Sequence, residues 1–136
     1  MELAKAIRKA KRVYLCGNGG SAANAIHIAN DLISVGIKAH ALTADVATLT
    51  AIANDYSYDQ IFFRQISVMG EAGDLLILLS GSGKSRNIIN AIGAAVVKGM
   101  DVYRIFGNER GEDMQAAEEA QIRLGHEAMK WLKDNP

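Results

Sequence analysis

The chain has few of the residues that mark several protein classes: its 136 residues include one proline, one cysteine and one tryptophan. The lone cysteine, Cys16, cannot form an internal disulfide bond. The first residues, MELAKAIRKAKR, lack the long apolar core of a signal peptide. From these two absences we expect a cytoplasmic protein.

The sequence also lacks an excess of charge of either sign, because 15 Lys and Arg residues balance 15 Asp and Glu residues. Bulk binding to nucleic acid depends on a basic excess, so we expect no nucleic-acid partner. No segment approaches the roughly 18 consecutive apolar residues of a membrane-spanning helix, so we expect no membrane partner. The length falls within the ~100 to 200 residues typical of one domain, and we expect a single domain over residues 1–136.

Hydrophobic periodicity predicts strands that alternate with helices along the chain. The predicted strands are 12–16, 38–42, 74–80, 101–107 and a short edge strand at 121–124. The predicted helices are 2–11, 21–36, two within 45–70 and then 85–99, 112–120 and 126–133. This alternation is typical of an α/β fold with a doubly wound parallel sheet, in which ligands bind beyond the carboxyl ends of the strands.

Two loops of small residues follow two of the predicted strands. The first loop, CGNGGS at 16–21, has three glycines that permit a close backbone approach and precedes a helix N-terminus that favours an anion. It lacks the third glycine of the dinucleotide-binding fingerprint. The second loop, SGSGKS at 80–85, ends like a P-loop but lacks the Walker A spacing, and its three serine hydroxyls suit a phosphate group. The alternative for each loop alone is a turn or helix cap without a ligand.

The chain resembles the sugar isomerase (SIS) domain family, and within it the phosphoheptose isomerases. The resemblance covers roughly residues 12–124 and rests on three segments in the same order: CGNGGSAANAIHIANDL, LTAIANDYSYDQIFFRQI and GDLLILLSGSGKSRNIINAI. It implies a flavodoxin-like sheet flanked by helices, and a homodimer or homotetramer that binds a phosphorylated sugar. By motif match, the residues implied to hold the phosphate and the sugar are Ser80, Gly81, Ser82 and Ser85, then Asn18, Gly19, Gly20 and Ser21, with Asn54 and Asp55 on the hydroxyls.

The same resemblance implies an aldose–ketose isomerase that converts sedoheptulose 7-phosphate to a heptose 7-phosphate. Such a reaction needs a base and an acid to move a proton through an enediol. His27 and Asp31 lie four residues apart on one helix and match the family's histidine and catalytic glutamate, so Asp31 is the expected base. His126 is the expected second group, although the chain is shortened before it. The alternative is a surface His126 at the start of a terminal helix.

The resemblance implies no required cofactor, although some members of the family bind zinc. His27, Asp31 and His126 are candidate zinc ligands by side-chain type, whereas the family's glutamine ligand has no clear match in this sequence. A second function stays open at this point, because a non-catalytic branch of the family shares the motifs. That alternative is a phosphosugar-binding or DnaA-binding module without turnover.

Overall fold

The computed structural model describes residues 1–106 and 113–136, and within them the α/β prediction is confirmed. The elements in chain order are α1 Glu2–Lys9, β1 Val13–Gly17, α2 Gly20–Ser34, β2 Ala39–Ala41, α3 Val46–Asp55, a 3₁₀ turn Tyr58–Gln60, α4 Phe63–Met69, β3 Leu75–Ser80, α5 Arg86–Lys98, β4 Asp101–Phe106 and α6 Met114–Asp134. The four strands are parallel in the order β2-β1-β3-β4. This order changes direction between β1 and β3, the position where doubly wound sheets bind ligands.

The two central strands are buried on both faces, as their continuous hydrophobic character predicts. In β1, Val13 and Leu15 pack into a core formed with α1, α2 and α6, while Tyr14 and Cys16 pack into a second core. The second core involves α4 and α5 on the opposite face of the sheet. This alternation follows from the two-residue period of a strand, and it places a helical layer on each face of the sheet.

Local sequence signals account for several of the helix ends. Asp45 is the N-cap of α3, and its side chain accepts a hydrogen bond from the Thr48 backbone N–H at 3.3 Å. Gly99 adopts φ +74° directly after α5, a left-handed conformation that glycine adopts at little cost. These signals are local, which is why the sequence predicts these boundaries to within a residue or two.

The prediction for the C-terminal segment is wrong, because residues 121–124 form no strand. They lie inside α6, a single helix over Met114–Asp134 that replaces the two predicted helices and the strand between them. The residues that α6 buries are Gln121, Gly125, Ala128, Met129 and Leu132, and their spacing follows one helical face. The β-forming residues of QIRL misled the prediction, since packing against α2 outweighs local propensity there. Residue 107 of the predicted strand and residue 112 of the predicted helix fall outside the described residues.

No helix within residues 1–106 or 113–136 combines the length and the apolar character that a membrane crossing requires.

Candidate phosphosugar site

The first loop connects β1 to α2 and depends on the absence of side chains. A Cβ atom on Gly17 would lie 2.7 Å from the backbone oxygen of Leu79 on β3, so only glycine permits this approach of the two strand ends. Gly19 has φ +58° and is the N-cap of α2, which begins at Gly20. A Cβ atom on Gly20 would collide with the carboxylate of Glu118 from α6. The loop is thus enclosed by β3 on one side and α6 on the other.

The second loop connects β3 to α5 and is held partly by its own serines. The buried Ser80 accepts a hydrogen bond at Oγ from the Gly83 backbone N–H at 2.8 Å. Ser82 accepts one from the Lys84 backbone N–H at 3.2 Å. Ser85 is the N-cap of α5, but its side chain makes no capping hydrogen bond. The Ser85 hydroxyl therefore does not cap α5. It lies at the helix N-terminus, where the backbone N–H groups and the helix dipole attract an anion.

The two loops lie side by side at the carboxyl edge of the sheet. β1 and β3 are direct neighbours, and Gly17 pairs in register with Leu79, the residue before Ser80. Across the gap, Asn18 of the first loop exchanges two hydrogen bonds with Asn87 of α5, at 2.8 and 2.9 Å. The structure therefore brings together the two loops that the sequence predicts to share one rim.

The predicted sugar-binding residues do not all have the same exposure. Ser21 is 2% exposed, and its Oγ accepts a hydrogen bond from Gln121 Nε2 at 3.0 Å. Asn54 and Asp55 are exposed at the end of α3, where the Asn54 amide donates to the Asp55 carboxylate at 3.1 Å. Among the described residues, the structure records no hydrogen bond between these two side chains and either loop.

A carboxylate and two imidazoles meet where α2 packs against α6. Asp31 Oδ2 lies 3.2 Å from His27 Nε2 and 3.8 Å from His126 Nε2, and the two Nε2 atoms are 3.1 Å apart. Both histidines are about half exposed and Asp31 is less so, which leaves the cluster open to solutes. The structure thus places His126 beside Asp31, and not at the start of a terminal helix.

The cluster exists because α6 approaches α2 closely through Gly125. A Cβ atom on Gly125 would lie 2.8 Å from Cγ1 of Ile28, a side chain that is 3% exposed and cannot move freely. One residue further along α6, His126 comes level with Asp31. Gly125 therefore permits the helix contact that forms the cluster.

A polar seam between α2 and α6 extends from the first loop toward this cluster. Gln121, which is 1% exposed, donates to Ser21 and accepts from the Asn24 amide at 2.9 Å. From Gly20 to His27 the helix advances seven residues, about 10 Å at 1.5 Å per residue. The first loop and the cluster are therefore separated along α2 by a distance comparable to the length of an extended seven-carbon sugar phosphate.

Cys16 lies directly before the first loop, but it offers no reactive thiolate. Its side chain is fully buried, and this burial raises the pKa of the Cys16 thiol well above its ordinary value. The thiol thus stays protonated at neutral pH.

Three polar residues of the site escape a reading of the sequence alone: Asn87, Tyr58 and Gln121. Asn87 and Gln121 are nearly fully buried. Asn87 lies in the predicted helix 85–99, whereas Gln121 lies in the segment 121–124 for which the sequence predicts a strand. Tyr58 donates a hydrogen bond from its hydroxyl to Asn18 Oδ1 at 2.9 Å. The only signal in the sequence is an amide residue on the apolar face of a helix, since a buried amide usually has a partner.

Comparison with known proteins identifies the family. The model of the SIS domain matches residues 2–107. A phosphoheptose isomerase from Halorhodospira halophila is 41% identical over 97% of this chain and 71% of its own length, and one from Thiobacillus denitrificans is 42% identical over 80% and 58%. The chain thus spans between 58% and 71% of the length of these relatives. The structure of phosphoheptose isomerase GmhA from Neisseria gonorrhoeae has a TM-score of 0.89 and 32% identity, with 97% of this chain and 81% of that chain covered. The chain therefore belongs to the SIS-domain family, and within it to the phosphoheptose isomerases.

Proposed function

We propose that this chain is an aldose–ketose isomerase that interconverts sedoheptulose 7-phosphate and a heptose 7-phosphate. One observation carries the proposal: a polar seam of Ser21, Gln121 and Asn24 extends from the first of the two loops toward a carboxylate with two imidazoles. The relatives named phosphoheptose isomerase support the same reaction. The test is turnover of sedoheptulose 7-phosphate by the purified chain, followed as formation of the aldose phosphate.

The second loop is the part of the site that binds phosphate in this proposal. Ser80, Ser82 and Ser85 supply hydroxyls near the N-terminus of α5, and Gly81 and Gly83 complete the loop, with Gly81 buried against the Met114 side chain of α6. The first loop, with Asn18, Gly19, Gly20 and Ser21, borders the sugar. Asn54 and Asp55 remain a prediction for the sugar hydroxyls, since in this conformation they bind each other.

Proton transfer is assigned to the cluster on α2 and α6. Asp31 Oδ2 faces both histidines, which leaves Oδ1 available to take a proton from the carbon beside the carbonyl. His126 is the second acid or base, at the oxygen that gains or loses a proton in the enediol. Asp31 is one methylene shorter than the glutamate implied by the resemblance, and the close approach of α6 at Gly125 supports its reach to His126.

The same three side chains are proposed as zinc ligands. Zinc held by nitrogen and oxygen at ~2.0 to 2.2 Å in a tetrahedron separates its ligand atoms by about 3.4 Å. The three separations in the cluster are 3.1, 3.2 and 3.8 Å, so the donors fit that geometry. A bound zinc ion would supply a Lewis acid for the substrate oxygens. Zinc titration against a chromophoric chelator tests this ligand set, with His27→Gln expected to weaken the metal affinity.

Self-association is proposed as well, because α5 exposes an apolar stripe. Ile89, Val96 and Val97 are 52%, 67% and 85% exposed and lie on one side of that helix. Burial of such a stripe against a second copy removes apolar surface from water. Light scattering on the purified protein distinguishes a dimer or tetramer from a monomer.

The cytoplasm remains the compartment that we propose, on the sequence evidence alone.

A non-catalytic phosphosugar-binding module is the second candidate, and the substitution of aspartate for the expected glutamate favours it. This candidate requires the loops but not the cluster. Stabilisation by a sugar phosphate in a thermal-shift assay, together with no turnover at any zinc concentration, would select the binding module over the isomerase.

A further inference from the structure

Asn87 is a buried amide in the second position of α5. It is 2% exposed, and it lies beside Ile88 and Ala91, both of which are fully buried. Burying an amide costs free energy unless its donor and acceptor are both satisfied. Asn87 meets that requirement through Asn18, which belongs to the first loop and lies 69 positions earlier in the chain.

The pair forms a closed ring of two hydrogen bonds. Asn18 Nδ2 donates to Asn87 Oδ1 at 2.9 Å, and Asn87 Nδ2 donates to Asn18 Oδ1 at 2.8 Å. The Tyr58 hydroxyl also donates to Asn18 Oδ1, at 2.9 Å. A carbonyl oxygen accepts about two hydrogen bonds, so the oxygen of Asn18 is saturated. One N–H of its amide nitrogen is left.

The Asn18 side chain that carries this remaining N–H lies in the wall of a cleft. Asn18 lines this cleft with Gly19, Thr43 and Thr50, and Tyr58 forms another part of the wall. Gly17 also lines this cleft, and it pairs in register with Leu79, the residue before the second loop and its hydroxyls. A ligand that reaches from the second loop into this cleft would therefore meet a hydrogen-bond donor on the Asn18 side chain. The oxygen of the same side chain has no capacity left to accept a hydrogen bond.

We propose that Asn87 and Tyr58 are positioning residues that hold the Asn18 amide as a single N–H donor to a hydroxyl or carbonyl oxygen of the bound sugar. This inference rests on the proposed function, which supplies the sugar phosphate. It adds a selectivity: the ligand must present an oxygen acceptor at this point, and an anion without a sugar gains nothing from the arrangement. A purely structural tie between the loops would instead affect every ligand and the stability of the free protein together.

The first experiment compares Tyr58→Phe with Tyr56→Phe. Tyr56 is a matched control, because it lies two residues away and is 56% exposed, close to the 58% of Tyr58. Its hydroxyl accepts a hydrogen bond from Arg64 and makes none to Asn18. We expect Tyr58→Phe to raise the Kd and KM for sedoheptulose 7-phosphate by about three- to tenfold, the worth of one neutral hydrogen bond. The kcat, the Kd for inorganic phosphate and the unfolding midpoint should stay near those of the Tyr56→Phe control.

The second experiment tests whether the effect passes through Asn18. In an Asn18→Ala background, Tyr58→Phe should no longer change the Kd for sedoheptulose 7-phosphate, because the amide that it orients is gone. Asn87→Leu replaces the amide with an uncharged apolar side chain that cannot form the two hydrogen bonds to Asn18. It should weaken sugar phosphate binding by about tenfold or more, while inorganic phosphate binds as before. If Asn87→Leu does not fold, the Tyr58→Phe comparison decides alone.

The outcomes separate this inference from the proposed function. Failure of the unaltered chain to bind sedoheptulose 7-phosphate would refute the proposed function and this inference with it. If the unaltered chain binds the sugar phosphate and Tyr58→Phe binds it equally well, this inference alone is overturned. It is also overturned if Tyr58→Phe weakens binding to the same extent in the Asn18→Ala background.

Discussion

The two loops at the edge of the sheet and the cluster of His27, Asp31 and His126 are built in different ways. The loops consist of glycines, serines and amides that directly follow two adjacent parallel strands, so chain direction alone brings them together. The cluster draws its groups from two helices, and its histidines are 99 positions apart in the sequence. It depends on how closely α6 packs against α2.

In the proposed function, this difference separates the groups that bind the sugar phosphate from the groups that transfer protons. The loops offer hydroxyls, one amide donor and helix N-termini, groups that attract an anion but do not move protons at neutral pH. The cluster offers a carboxylate and two imidazoles, groups that can exchange protons or hold a metal ion. Changes in one region should therefore leave the other largely intact, and the following predictions test that independence in order of expected size.

The largest effect is expected for Asp31→Asn, which removes the proposed base. A positioned acid or base contributes on the order of 10² to 10⁴ in rate, so turnover of sedoheptulose 7-phosphate should fall by at least about a hundredfold. Stabilisation by the sugar phosphate in a thermal-shift assay should persist, because the loops are unchanged. Asp134→Asn is the control, since Asp134 borders the same surface near the end of α6. Retained turnover in Asp31→Asn would remove Asp31 from the reaction.

The second prediction concerns the helix contact, through alanine at two glycines. Gly125→Ala places a methyl group 2.8 Å from the buried Ile28, and overpacking of this kind costs about 1 to 3 kcal/mol, against a gain of up to about 1 kcal/mol in helix propensity. Gly93→Ala on α5 meets nothing within 4 Å and should stabilise the chain by up to about 1 kcal/mol. Urea unfolding measures both.

Gly125→Ala should also weaken zinc binding or turnover, because it moves His126 away from Asp31. Equal stabilisation by both alanine variants would contradict the close approach of α2 and α6.

The third prediction separates two serines of the second loop. Ser85 makes no capping bond, so Ser85→Ala should leave the unfolding free energy nearly unchanged and weaken sugar phosphate binding by about three- to tenfold. Ser80 is buried and bonded to the Gly83 N–H, so Ser80→Ala should lower both the stability and the affinity. Calorimetry with the sugar phosphate measures the affinities. A large loss of stability in Ser85→Ala would assign its hydroxyl to the helix.

The smallest effect is expected at Asp45, which belongs to neither region. Hydrogen bonds from the Thr48 hydroxyl and backbone N–H lower the pKa of Asp45 below its ordinary value of 3.8. A lowered pKa means that the cap stabilises the fold when ionised, at pH above 3.8, and that this contribution is lost as pH falls through the lower value. Asp45→Ala should lower the melting temperature slightly at pH 7, with turnover unchanged. The difference should shrink at a pH well below 3.8, and a difference independent of pH would contradict the ionised cap.

The order and type of most elements could be predicted from the sequence, because their signals are local. The strand of residues 74–80 is hydrophobic on both faces, and the cap of α3 and the glycine after α5 mark helix ends. Both loops could be predicted for the same reason. The tie between Asn18 and Asn87 could not, since neither residue carries a sign of a partner 69 positions away.

The sequence by itself determined the parallel sheet and the common edge at which the two loops lie, because strand burial, helix ends and chain direction are properties of short segments. Tertiary structure alone decided that residues 114–134 form one helix, that Gly125 admits Ile28 and that His126 thereby reaches Asp31. The physical reason is that a segment with mixed local preference adopts the conformation that buries the most apolar surface. Here that surface belongs to α2, and the distance between α2 and α6 cannot be predicted from the sequence.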